Sequence, residues 1–160
     1  MPTDEKQPKE TDDIKKWLNS YQKLLKRIDN TEKRIACLEL TIGAPSSPNF
    51  SGMPSGSRDG SSKQERDYIR KEELEERLGD LYAEENRLRE EIEGMVERME
   101  KPDEQVVIEM HYLDGHVWNT ISVALYGDEP DYDENAKRYL KRTHKKHGSA
   151  LQTLARMNRK

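Results

Sequence analysis

Cysteine is almost missing from this 160-residue chain, with Cys37 the only one. That excludes an intramolecular disulfide framework and any zinc site built on cysteine pairs. Aromatic residues are scarce, at 6% with a single Phe, and apolar residues reach 32% against 38% charged. Soluble domains average roughly 45–50% apolar, Gly included, and about 25% charged. One large core running through the whole chain is therefore excluded, and the apolar residues must lie in stripes or in a small domain. Long apolar runs are missing as well, so there is no candidate for a membrane span or a secretory signal. The default expectation is a cytoplasmic protein.

What the chain has in abundance is charge, unevenly placed. The net charge is −4. Residues 63–100 carry −6 and residues 102–131 carry −7, whereas residues 132–160 carry +7. That last block has nine Lys or Arg against Asp133 and Glu134 alone. An acidic chain with a strongly basic end points to an anionic partner for that end.

Residues 1–10 lack periodicity and read as a disordered tail. From Thr11 to Thr41, Ile14, Tyr21, Ile28 and Ile35 recur every seven residues. Trp17, Leu24, Thr31 and Leu38 interleave with them, and Leu18 and Leu25 widen the stripe. This is a long helix with a coiled-coil seam, for which Thr11, Asp12 and Asp13 are candidate caps. Residues 42–62 hold seven Ser, four Gly and three Pro, the composition of a flexible linker. Ser62 and Glu65 form a capping box for a second helix over 63–100. Its stripe is Leu74, Leu78, Leu81, Leu88, Ile92, Met95 and Met99, with Glu85 at one core position. The two helices carry +2 and −6, which favours pairing with each other. Antiparallel pairing within the chain is the simpler choice, although the linker also permits exchange between chains and a homodimer through these helices.

Pro102 with Asp103 and Glu104 starts a third helix, carrying Val106, Val107, Met110 and Leu113. Asp114-Gly115 marks a turn. A fourth helix follows around 116–126, in which Trp118 is the expected core anchor. A fifth runs from near Asp133 to about Met157. On a helical wheel Ala136, Leu140, Thr143 and His147 share one face, expected to be buried. Arg138, Lys141, Arg142 and Lys145 lie opposite, with Asn135 at the edge. Lys and Arg neutralise phosphates, and Arg and Asn bond base edges in the major groove. A solvated basic face would have the same composition.

Residues 102–155 resemble sigma factor region 4. The resemblance rests on Tyr112-Leu113-Asp114-Gly115, on Trp118-Asn119-Thr120-Ile121-Ser122, and on Ala150-Leu151-Gln152-Thr153-Leu154. A helical part ahead of such a module is similar to small phage-encoded regulators of late transcription, the ArpU/RinA type. The resemblance implies a helix-turn-helix that binds double-stranded promoter DNA, with a contact to RNA polymerase in a bacterial host cell. The connection Tyr126–Tyr132 is longer and more acidic than the usual tight turn, and Lys145-Lys146-His147-Gly148 is an extra stretch. Asn119 and Thr120, at the start of the fourth helix, are added as phosphate contacts.

Signals for an enzyme are poor. His144 and His147 share a helix face, but no third ligand accompanies them. The glycines of 52–60 lack the Lys-Ser/Thr of a phosphate-binding loop. No catalytic residue, metal site or cofactor is expected. The expectation is an all-α protein: a disordered tail 1–10, a coiled-coil hairpin over 11–100, and a helix-turn-helix domain over 101–160 that regulates transcription. The alternative is a coiled-coil adaptor or phage packaging or structural component acting through protein–protein contacts.

Overall fold

The computed structural model describes residues 6–43 and 62–159. All regular structure among them is helical, without a strand. Two long helices, α1 (Lys6–Gly43) and α2 (Lys63–Glu97), form a hairpin. Three shorter helices follow: α3 (Pro102–Ile108), α4 (Trp118–Tyr126) and α5 (Ala136–Asn158), with a π-helical turn Glu109–Leu113 closing α3.

The boundaries differ from expectation at several points. Helix α1 begins at Lys6, so Thr11, Asp12 and Asp13 lie inside it and the helical part of the tail is longer than its lack of periodicity suggested. Pro8 falls in the first turn, where its missing N–H has no intrahelical partner to lose. Ile42 and Gly43 belong to α1 rather than to the linker; residues 1–5 and the remainder of the linker up to 61 lie outside the described residues. Helix α2 stops at Glu97, three residues early, where the amides of Arg98 and Met99 bond back to Met95 and Val96. The Gln105 side chain then caps this end, its Nε2 donating to the carbonyls of Val96 (3.0 Å) and Met99 (2.9 Å), groups that a helix end otherwise leaves unpaired. Helix α5 starts at Ala136 rather than near Asp133, and it runs through Gly148.

The chain divides into two compact units, and the division does not fall at residue 101. One is Leu25–Glu84 and the other joins the described residues up to Leu24 with those from Glu85 onward. In the first, Ile28, Ile35, Leu74 and Leu81 are buried. Thr31 is buried too, its hydroxyl satisfied by the Arg27 carbonyl at 2.8 Å. Lys71 approaches Glu39 at 3.5 Å and the Tyr82 hydroxyl donates to Glu32, so α1 and α2 run antiparallel here. The Ser62–Glu65 capping box is formed in both directions, at 3.2 and 3.3 Å.

The second unit carries the larger core. Ile14, Leu18, Tyr21 and Leu24 of α1, Ile92 and Val96 of α2, Val107, Ile108 and Tyr112, Ile121, and Ala150, Leu151 and Leu154 of α5 are buried. Leu18 is fully buried while Trp17 is only half-buried, a reversal of the expected seam. Burying a Leu or Ile side chain contributes roughly 1.5–3 kcal/mol, and a three-helix unit of about 60 residues buries too few to stand comfortably alone. The short helices therefore share a core with parts of both long ones. Gln22 of α1 illustrates the tie, donating from Nε2 to the Tyr112 carbonyl at 2.7 Å.

Candidate nucleic-acid interface

Helix α5 is amphipathic, but its buried face is rotated from the expected one. Tyr139, Thr143, Ala150, Leu151, Leu154 and Ala155 are buried, whereas Ala136 is exposed, and Leu140 and His147 are half-buried. Tyr139 displaces the aliphatic residues because other aromatics come to meet it. Tyr126 and Tyr132 lie 5.1 and 5.5 Å from its ring centre. Thr143 is accommodated by donating to the Tyr139 carbonyl at 2.9 Å.

The opposite face presents Lys137, Arg138, Lys141, Arg142 and Lys145, all exposed. The four cations singled out from the sequence thus share one solvent face, and Lys137 joins them. Lys141 and Lys145 have no ion-pair partner among the described residues. Arg142 packs its guanidinium 5.2 Å from the Tyr139 ring centre. Arg138 is held more firmly, 2.9 Å from Asp131 Oδ2 and 5.4 Å from the same ring. Asn135 is half-buried and its amide is occupied, donating to the Asp131 carbonyl and carboxylate at 3.2 Å each. It sits at the α5 N-cap without a side-chain capping bond. Asn119 and Thr120 are exposed in the first turn of α4, where backbone N–H groups lack intrahelical acceptors. No hydrogen bond or ion pair among the described residues joins them to the α5 face.

Asp131 is the residue that sequence reasoning missed. Its Oδ1 accepts the Tyr139 hydroxyl at 2.6 Å while Oδ2 accepts Arg138 and Asn135. The Tyr139 bond, reinforced by Arg138, holds this carboxyl below the usual carboxylate range, and the same bond raises the Tyr139 hydroxyl. Asp131 and Tyr139 stand eight positions apart across an irregular connection, a spacing with no sequence signature.

The turn between α3 and α4 carries a second cluster. The Asp114 amide bonds to the Glu109 carbonyl at 2.9 Å, closing the π turn, and Gly115 adopts φ +73°, a conformation that favours glycine. Trp118 departs from the expected core anchor: it is half-buried and surrounded by histidines. His111 stacks on it at 4.0 Å, and His144 and His147 both lie 4.7 Å away. His147 Nε2 and the Tyr112 hydroxyl are 2.7 Å apart. Burial, then the charges of His111, Lys15 and His144, push His147 down to about 4. His111 is lowered by burial too. Among the described residues no group of three or more His, Cys, Asp or Glu is placed to hold a metal ion, and no helix is long and apolar enough to cross a membrane.

No protein-family model, curated protein or solved structure matches the chain.

Proposed function

We propose that this chain is a DNA-binding regulator of transcription in which α3, α4 and α5 form a helix-turn-helix and α5 enters the major groove. The observation that carries the reading is the exposed row Arg138, Lys141, Arg142 and Lys145, set opposite the buried Tyr139–Thr143–Ala150–Leu154 face. A reading helix needs such a division, with one side packed against the preceding helices and the other offering cations to phosphates and base edges. Unpaired Lys141 and Lys145 release condensed counterions when they meet phosphates. Asn119 and Thr120 at the start of α4 supply backbone contacts beside the groove. Asn135 serves the interface through Asp131, since its amide is already engaged.

The resemblance to phage late-transcription regulators extends the proposal to a promoter-proximal site in the cytoplasm of a bacterial host, with RNA polymerase as a second partner. Exposed Leu40, Tyr68 and Ile69 in the Leu25–Glu84 unit support a homodimer through the long helices. The testing experiment is a salt titration of full-chain binding to duplex DNA. Log K falls with log[salt] by about 0.9 per phosphate neutralised. Replacing Arg138, Lys141, Arg142 and Lys145 together by Ala flattens that slope and weakens binding. A folded quadruple variant with unchanged affinity and slope overturns the proposal.

A further inference from the structure

We infer that Asp131 is a positioning residue for base reading, holding Arg138 in the orientation in which its guanidinium meets a base edge. The inference rests on the DNA-binding reading and adds the source of its sequence discrimination. Arg138 is 54% exposed at its side chain, yet it is fixed on two sides. One Nη2 donates to Asp131 Oδ2 at 2.9 Å, and the guanidinium lies 5.4 Å from the Tyr139 ring centre. Beyond Asp131 and Tyr139 its N–H donors meet no other partner among the described residues, so the outward ones remain for a ligand.

The anchor behind it is bonded into the fold. Asp131 Oδ1 accepts the hydroxyl of Tyr139, which is 3% exposed. Tyr132 stacks on Tyr139 and donates its own hydroxyl to buried Ser122 of α4 at 3.3 Å. The carboxylate is thus tied through two tyrosines to the helix before the reading helix. An unrestrained arginine loses its rotamer freedom on binding, which opposes association, whereas one immobilised in the fold has lost it already. The bidentate pairing of a planar guanidinium with guanine O6 and N7 demands such a fixed fork.

Asp131 has a second, opposing effect. It places a negative charge within 2.9 Å of the basic face, in a connection that also carries Asp128, Glu129, Asp133 and Glu134, and such charge repels phosphates of any sequence. Removing its charge therefore strengthens sequence-independent binding while it loosens the reader. A residue with a purely structural role would not move the two quantities in opposite directions.

The experiment uses the full chain with two 30-base-pair duplexes, one of random sequence and one enriched by in vitro selection with the unaltered protein. Asp131→Asn raises affinity for the random duplex a few-fold and lowers the ratio of selected to random affinity by about tenfold. Tyr139→Phe keeps the Asp131 charge and removes its anchor, so the ratio falls without a gain on the random duplex. In an Arg138→Ala background, Asp131→Asn lowers the ratio no further. An unchanged ratio in both single variants, with helicity intact by circular dichroism, overturns the positioning role; should Asp131→Asn fail to fold, Tyr139→Phe decides alone. If the unaltered chain binds all duplexes equally, the positioning role falls and DNA binding stands. If it binds none, both fall together.

Discussion

Tyr21 donates its hydroxyl to Glu85 at 2.5 Å, pairing α1 with α2 at the one position where the apolar seam of the second helix is broken. Both side chains are buried, and Arg89 completes the group, its Nε 3.1 Å from the Tyr21 hydroxyl and 3.4 Å from Glu85 Oε1. Burial and the Glu85 bond raise the Tyr21 hydroxyl, so it stays protonated and remains a donor. A carboxylate in a helix seam is costly unless its acceptors are filled. Tyr21 fills one, and a shift of register by one turn would leave Glu85 facing an aliphatic residue. The pair thus acts as the coiled-coil polar residue does, selecting register at some expense of stability.

Tyr21→Phe should accordingly destabilise the chain by about 1–3 kcal/mol, because a buried carboxylate loses its donor. Glu85→Leu in the same background should restore most of that loss, since replacing both partners by apolar groups is nearly neutral. Urea unfolding of the four proteins of the cycle measures the coupling. A coupling near zero would mean that Arg89 alone satisfies Glu85.

Histidine burial around Trp118 sets a pH dependence with a definite sign. His147 sits at about 4 in the fold against 6.5 for a free histidine, so the unfolded chain binds the extra proton between these values. Stability contributed by this group is complete above about 6.5 and is lost progressively as pH falls toward 4. Allowing for solvent screening at a partly exposed ring, the loss is about 2 kcal/mol. His111, lowered by burial and stacked on Trp118, acts in the same direction. The urea midpoint should fall more between pH 7.5 and 4.5 for the unaltered chain than for His147→Gln. Equal falls would remove the histidine contribution.

Features encoded within a few residues were legible in the sequence. The Ser62–Glu65 box, Pro102 opening α3 and the left-handed Gly115 each depend on neighbours along the chain. The alternation Ile14, Tyr21, Ile28 and Ile35 was legible for the same reason, since all four are buried. The rest depends on partners distant in sequence. Nothing near Tyr139 indicated that Tyr126 and Tyr132 would gather on it and turn α5 away from Ala136 and Leu140. The π turn inserts one residue in the ladder and aims His111 and Tyr112 at α5, yet Glu109–Leu113 reads as ordinary helix. The basic row was visible as composition. What sets Arg138 apart from Lys141 and Lys145 is its bond to Asp131, which reaches it across an irregular connection that carries no local pattern.

Glu104 is another long-range partner hidden as a first-turn acid. It is 2% exposed, and its two oxygens accept the hydroxyls of Ser149 (2.6 Å) and Thr153 (2.9 Å) on α5. Lys101 stands 3.8 Å away. Glu104→Ala leaves the Ser149 hydroxyl without its acceptor and Thr153 with only the Ser149 carbonyl at 3.1 Å, and should cost about 2 kcal/mol, a drop in melting temperature of about 4–8 °C for a chain of this size. Glu104→Gln keeps one acceptor and should lose about a third of that. Thermal unfolding followed at 222 nm checks both, and equal losses would point to the carboxylate charge beside Lys101, which both variants remove, instead of the hydroxyl bonds.

The two kinds of cation on α5 should separate in DNA binding. Lys141 and Lys145 are exposed without ion-pair partners among the described residues, and an ammonium acts as a point charge with no planar fork. Lys141→Ala should therefore weaken binding to all duplexes alike and reduce the salt slope by about 1. Arg142 lies one turn beyond Arg138 and rests on the Tyr139 ring, which restricts its guanidinium without occupying its donors. Arg142→Ala should cost roughly 1–3 kcal/mol at one base pair of the selected site and leave other positions unchanged. Arg142→Lys keeps the charge and should recover the salt slope but not the base preference. Fluorescence anisotropy across a set of single-base-pair variants, each at several salt concentrations, reads both quantities. If Lys141→Ala and Arg142→Ala give the same uniform loss, α5 touches only the phosphate backbone, and discrimination must arise from the shape of the duplex rather than from its base edges.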